Sequence, residues 1–146
     1  MREQRPFAED LGFLLSRASG VIAKSASEAL SPLGLRVRSY SVLAFVAEEP
    51  EGVTQRRLAA LVGLDPSQIV ALVDDLEDRD LVTRRPDPAD RRNKRITATG
   101  GGHRLRDEAR RRIDEAQAAH FDRLPPELLH ELRKTLHGIA FPDNPA

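Results

Sequence analysis

Residues 54–98 constrain the fold more tightly than any other part of the chain, because two capped helices and a hairpin follow one another there with almost no connecting residues. Thr54 has the chemistry of an N-cap, a hydroxyl that accepts from a free amide of the first turn, and Leu58, Leu61 and Val62 then mark an apolar helical face. Gly63 ends that helix. Two residues on, Asp65 caps a second one, Pro66 stands at the first helical position where its missing N–H costs nothing, and Gln68 completes a capping box. Ile69, Leu72, Val73 and Leu76 form its buried stripe. Leu81 to Arg85 is β-prone, Pro86 to Asp90 is turn chemistry, and Asn93 to Ala98 alternates with Ile96 and Ala98 on one side. A helix-turn-helix running directly into a hairpin with basic residues at its tip is a winged helix.

The flanks read as helix. Leu11, Leu14, Leu15, Ala18, Ile22, Ala26 and Ala29 give Glu9 to Leu30 a helical stripe closed by Ser31-Pro32-Leu33-Gly34. Leu35 to Glu49 makes a second helix, stopped by Pro50 and Gly52, and Val53 suits a very short strand. Thr99 caps a long helix to about Phe121, and Pro125-Pro126 opens a last one. The expected fold is mainly α with a small β hairpin: a winged helix-turn-helix lobe over 35–98, and long dimerisation helices at 7–33 and 99–141 of a single 1–146 domain.

Formal net charge is zero, yet Arg79 to Arg112 holds twelve basic residues against five acidic ones, a local +7. A nucleic acid responds to that local patch, since the Debye length is about 8 Å at physiological salt. With no cysteine, disulfides, thiolate metal sites and thiol sensing are excluded. The four histidines show no close metal-ligand spacing, so no metal or cofactor is expected. Charge throughout and the lack of a long apolar run or signal core point to a cytoplasmic protein. Gly100-Gly101-Gly102 lacks the lysine and strand of a phosphate loop, and no nucleophile-base set is visible, so no catalytic residues are assigned.

The binding residues follow from winged-helix geometry. The start of the second helix of the pair enters the major groove, which selects Pro66, Ser67, Gln68, Val70 and Ala71. Gln68 has the donor-acceptor pair for adenine, or serves the cap alone; Val70 and Ala71 can meet thymine methyls. Thr54, Gln55 and Arg56 begin the helix that crosses the backbone, and Arg84, Arg91, Arg92 and Lys94 supply wing cations for phosphates. Apolar residues in excess of one lobe's needs, Leu11, Leu14, Ile113, Leu128, Leu132, Leu136 and Ile139, suit a two-fold interface or, for any one of them, an internal core.

In this order of elements the chain resembles the MarR (multiple-antibiotic-resistance regulator) family over essentially its whole length. The family's wing signature, Asp-x-Arg, five residues, Leu-Thr-x-x-Gly, reads here Asp90-Arg91-Arg92, then 93–97, then Ala98-Thr99-Gly100-Gly101-Gly102, with Ala98 replacing Leu. Leu64 to Ser67, Leu72 to Glu77 and Leu81 to Pro88 also match. The resemblance implies a homodimeric repressor on a pseudo-palindromic double-stranded operator, an Asp90–Arg92 salt bridge in the wing, and release by a small aromatic or anionic effector bound between dimer helices and lobe. By that analogy Ser39 and Tyr40 line the effector pocket, although Tyr40 also suits the core. A winged-helix module binding DNA or protein without an effector is the alternative. The chain departs from the family pattern at Val70 and Ala71, where Thr and Arg are common; at Asp80, a helix end that favours glycine; and at the glycine triplet, where a soft joint between wing and long helix is expected.

Overall fold

The computed structural model describes residues 4–144. Its elements are α1 (Leu11–Leu30), α2 (Val37–Glu48), β1 (Val53–Thr54), α3 (Gln55–Val62), α4 (Pro66–Asp78), β2 (Val82–Pro86), β3 (Lys94–Ala98), α5 (Gly100–Phe121) and α6 (Pro126–Ala140). Their starts are set by local chemistry. Asp10 accepts from the Phe13 amide at 2.9 Å, Thr54 Oγ1 from the Arg57 amide at 3.1 Å and Thr99 Oγ1 from the Gly102 amide at 3.0 Å, each satisfying an orphan donor. At α4 the capping box forms, with Gln68 Oε1 accepting from the Asp65 amide at 3.2 Å. Gly63 ends α3 at φ 72°, which glycine adopts without strain.

The hairpin is part of a three-stranded antiparallel sheet ordered β1-β3-β2, so the short strand expected at Val53 is the third member, pairing with Ile96. β2 and β3 pair from Val82 with Ala98 to Pro86 with Lys94. This register turns Val82 and Ile96 into the core and leaves the far end of the hairpin in solvent. The core gathers Leu30 from α1, Val42, Leu43 and Val46 from α2, Leu58 from α3, Ile69, Val73 and Leu76 from α4, Val82 and Ile96 from the sheet, and Ala109 and Ile113 from α5. Burying each large aliphatic chain contributes about 1.5–3 kcal/mol, enough in sum to hold the lobe against α5.

Ile113 belongs to this core at 9% exposure, which corrects its assignment to a subunit interface: the side chain is taken up by its own protomer. The other six behave differently. Leu11 and Leu14 on α1 and Leu128, Leu132, Leu136 and Ile139 on α6 are all exposed, and α6 has no buried residue at all.

The glycine triplet is also corrected. Gly102 is buried, and a Cβ there would stand 2.0 Å from the Leu81 carbonyl oxygen. Its role is clearance, letting α5 press onto the end of the lobe. The junction is tied further by Thr99, whose amide donates to Leu81 O at 3.0 Å and whose hydroxyl donates to Asp80 O at 2.7 Å. Asp80 is the one described non-glycine residue at positive φ, 56°, so the strain expected at this helix end is present. Gly102→Ala is accordingly expected to lower stability by about 2 kcal/mol or more, because a backbone carbonyl cannot step aside as a side chain would. Urea unfolding of the variant checks this, with Gly101→Ala, whose Cβ meets nothing nearer than 3.7 Å, as the tolerated control.

Candidate nucleic-acid interface

α3, α4 and the sheet converge on an open cleft of about 990 Å³ lined by Thr54, Gln55, Arg56, Pro66, Val70, Asp74, Glu77, Arg84, Arg92, Asn93 and Lys94. Eight of these are sequence candidates from three separate stretches of chain, brought to one face. Ser67, Gln68 and Ala71 are exposed on the first turns of α4 without lining the cleft, and Arg91 is exposed at the wing tip. Asp74, Glu77 and Asn93 were not anticipated.

Each side chain is positioned by its local role. The Thr54 oxygen is occupied as a cap, which leaves its O–H free to donate outward. Gln68 is similarly divided. With Oε1 already accepting from the Asp65 amide, its NH2 is the group left wholly free for a base, and a bidentate contact with adenine has to share the capping oxygen. Val70 offers a partly exposed methyl surface in the cleft, whereas Ala71 faces a second cavity on the other side of α4.

The wing is stiffened from within. The Arg92 amide donates to Asp90 Oδ1 at 3.1 Å, and the Arg92 guanidinium stands 3.6 Å from the same carboxylate, the pair expected from the resemblance. Arg92 is 94% exposed, so this ion pair is weak and leaves the guanidinium available. Asp87, a turn residue by its sequence context, is more firmly held. Its carboxylate accepts from the Ala89 amide at 3.0 Å and stands 3.3 Å from Arg95 Nε, while Arg95 also donates to Gly52 O. The amide bond, then Arg95, hold its pKa below the ordinary carboxylate value.

Many of the basic side chains behind the local +7 of the sequence are paired internally. On α5, Arg111 pairs with Glu108 and Glu115, Arg112 with Glu108, Arg106 with Asp107 and Arg110 with Asp114. Arg111 and then Arg112 pull the Glu108 pKa down to about 2. Arg79 caps the turn at Leu33 and Gly34. Arg84 lines the cleft but is not a free cation: its side chain is 12% exposed and is bonded to Gln55, Val70, Asp74 and Glu77 in the cleft floor. Among the described residues, no ion pair engages Arg56, Arg85, Arg91 or Lys94. The cations left for phosphates stand at the wing and the start of α3, flanking the groove-entering end of α4.

The second cavity, about 700 Å³, lies where α1 meets α2 and α4, and is lined by Ala23, Lys24, Ser27, Arg36, Val37, Arg38, Gln68, Ala71 and Leu72. Ser39 and Tyr40 do not line it. Ser39 is buried, and Tyr40 packs on the core with its hydroxyl near Arg106, Arg110 and Asp114, burial raising its pKa. The signal overlooked in the sequence is Arg36-Val37-Arg38, two cations at the start of a helix.

A capped helix pair with an exposed reading end, backed by a three-stranded sheet with a cationic tip, defines a winged helix-turn-helix protein. Known proteins of similar sequence and structure agree. The MarR family model matches residues 33–93. CouR from Rhodococcus jostii RHA1, solved bound to p-coumaroyl-CoA, is 52% identical, with 97% of this chain and 99% of that one covered and a TM-score of 0.91. A transcriptional regulator (MarR family) from Rhodococcus sp. RHA1 is 51% identical, covering 95% and 99%, with a TM-score of 0.90. An HTH-type transcriptional repressor of Mycobacterium tuberculosis is 29% identical over 130 residues, 89% of this chain and 93% of its own. The chain belongs to the MarR family of transcriptional regulators.

Three outcomes are expected. Arg91→Ala weakens all duplexes alike and lowers the slope of log affinity against log salt by about 0.9 for each phosphate that Arg91 neutralises. Gln68→Glu keeps the capping oxygen but removes the donor, so selection from a random duplex library shifts its preference while the melting temperature holds. Asp87 stabilises the wing above its unfolded-state pKa of about 3.9, and that stabilisation is lost as pH falls through its lowered folded value; Asp87→Asn is expected to flatten this acid limb of the stability curve.

Proposed function

We propose that two copies of this chain bind a pseudo-palindromic operator as a repressor and leave it when an aromatic, anionic effector occupies the cavity at α1, α2 and α4. The observation that carries the reading is the cleft: cations at the wing and the α3 start bracket the exposed beginning of α4. One such module grips little DNA, and two recognition helices must stand about one turn, 34 Å, apart to read a single face. The exposed apolar rows of α1 (Leu11, Leu14) and α6 (Leu128, Leu132, Leu136, Ile139) offer the surface for pairing, which makes 7–33 and 99–141 the dimerisation region.

The cavity fits an anion with an apolar part. Arg36 and Arg38 bring two cations, and Lys24 a third that stands 3.9 Å from Glu28, around Ala23, Val37, Ala71 and Leu72, with no carboxylate in the lining itself. CouR's p-coumaroyl-CoA, an aromatic thioester on a phosphate-rich carrier, has that chemistry, and the relatedness of the two chains makes it the first effector to try. Gln68 and Ala71 belong to α4, so an occupant there touches the back of the reading helix. That contact distinguishes this reading from the effector-free alternative.

Footprinting on the DNA flanking the gene, with p-coumaroyl-CoA, p-coumarate and free CoA added separately, tests both halves. Protection of a dyad by the protein alone, abolished on adding the thioester, is the expected result. Arg38→Ala is expected to bind the operator while requiring at least about tenfold more thioester for release, since a charge-assisted bond contributes roughly 1.5–3 kcal/mol. Protection unmoved by all three compounds overturns the effector assignment.

A further inference from the structure

Arg84 sits in the cleft floor, where a wing cation would ordinarily be counted as a phosphate ligand, and four of its five N–H donors are engaged within the protein. Nε donates to Gln55 Oε1 at 3.1 Å, Nη1 to Glu77 Oε1 at 3.0 Å, and Nη2 to Asp74 Oδ1 at 2.6 Å and the Val70 carbonyl at 3.4 Å. Glu77 Oε2 also accepts from the Arg84 backbone amide at 3.1 Å. One planar guanidinium thereby joins β2 to two turns of α4 and to the first residue of α3, a geometry the point charge of a lysine does not reproduce.

The bond to Gln55 has a further effect. A guanidinium has donors and no acceptor, so the carboxamide oxygen must face Arg84 and the NH2 must face away. Among the described residues nothing accepts from that NH2, and Gln55 lines the cleft between Thr54 and Arg56, at the end of the helix that crosses the DNA backbone. Unaided, a glutamine amide presents either end to a phosphate; fixed in this way it presents only donors.

We propose that Arg84 is a positioning residue, not a DNA contact, and that through it Gln55 is oriented as a phosphate-directed hydrogen-bond donor at the start of α3. The inference rests on the DNA-binding reading above. It accounts for a costly feature: two carboxylates, Asp74 and Glu77, in a cleft built for a polyanion. They hold the guanidinium that holds Gln55, and Arg84 shields their charge.

The test uses full-length dimer and a labelled random-sequence duplex, titrated at several salt concentrations, with melting temperatures recorded alongside. Gln55→Glu keeps an oxygen for Arg84 but replaces the outward donor with an acceptor; it is expected to melt close to wild type and bind about tenfold or more weakly. Gln55→Met, which neither donates nor carries charge, is expected to weaken binding less, and gives a second reading if the carboxylate disturbs folding. Arg84→Lys retains the charge but not the fork; it is expected to lose affinity with an unchanged salt slope. Wild-type affinity in Arg84→Lys, whose ammonium serves a phosphate as a guanidinium does but cannot hold Gln55 through the fork, makes Arg84 a direct phosphate ligand and overturns the proposal. So does wild-type affinity in both Gln55 variants. If wild-type protein itself ignores the duplex in dilute buffer, it is the functional reading that fails, a result distinct from either.

Discussion

The fold turns on the contact where the lobe ends and α5 begins. Leu81 emerges from the strained turn at Asp80, its carbonyl accepts the Thr99 amide, and Gly102 lies against the same oxygen with no room for a Cβ. The Asp80 carbonyl takes the Thr99 hydroxyl. Backbone of the lobe therefore meets backbone of the long helix directly, and such contacts neither compress nor repack as side chains do. Since α4 ends at Asp78 and α5 starts at Gly100, the reading helix and the helix assigned to pairing meet at the same few residues. Any change in the angle between α4 and α5 has to pass through this joint.

A second constraint operates at the DNA-facing surface, where charge is sorted. Arg110, Arg111 and Arg112 on α5 are paired with acids one helical turn away, Arg84 with α4, and Arg95 with Asp87. In the cleft and hairpin, the cations outside these ion pairs stand at the wing and the start of α3. A chain of zero formal charge thus presents a cationic edge by using its acids selectively, not by having few of them.

Where the sequence was legible, the determinant was short-range. Thr54, Asp65 and Thr99 are caps because an oxygen there reaches an amide two or three residues on, and Gly63 ends a helix because φ is positive; these follow from neighbours alone. The order of elements and the hairpin follow from periodicity, which also reports local geometry. The misplaced residues all answer to partners distant in the chain. Arg84 is claimed by Gln55, 29 positions earlier. Ile113 lies on a stripe that serves two apolar bodies, and nothing in its spacing says which one takes it. The glycine triplet reads as flexibility until Leu81 is seen beside Gly102.

The division between a cationic wing tip and a nearly uncharged first turn of α4 also bears on how such a protein diversifies. Adhesion and discrimination are lodged in different segments joined through the floor of the cleft, so either one is free to drift while the other is kept. On the proposed reading, a duplicated gene of this type acquires a new target by exchanging Ser67 or Val70, with its hold on the double helix left intact from the first generation.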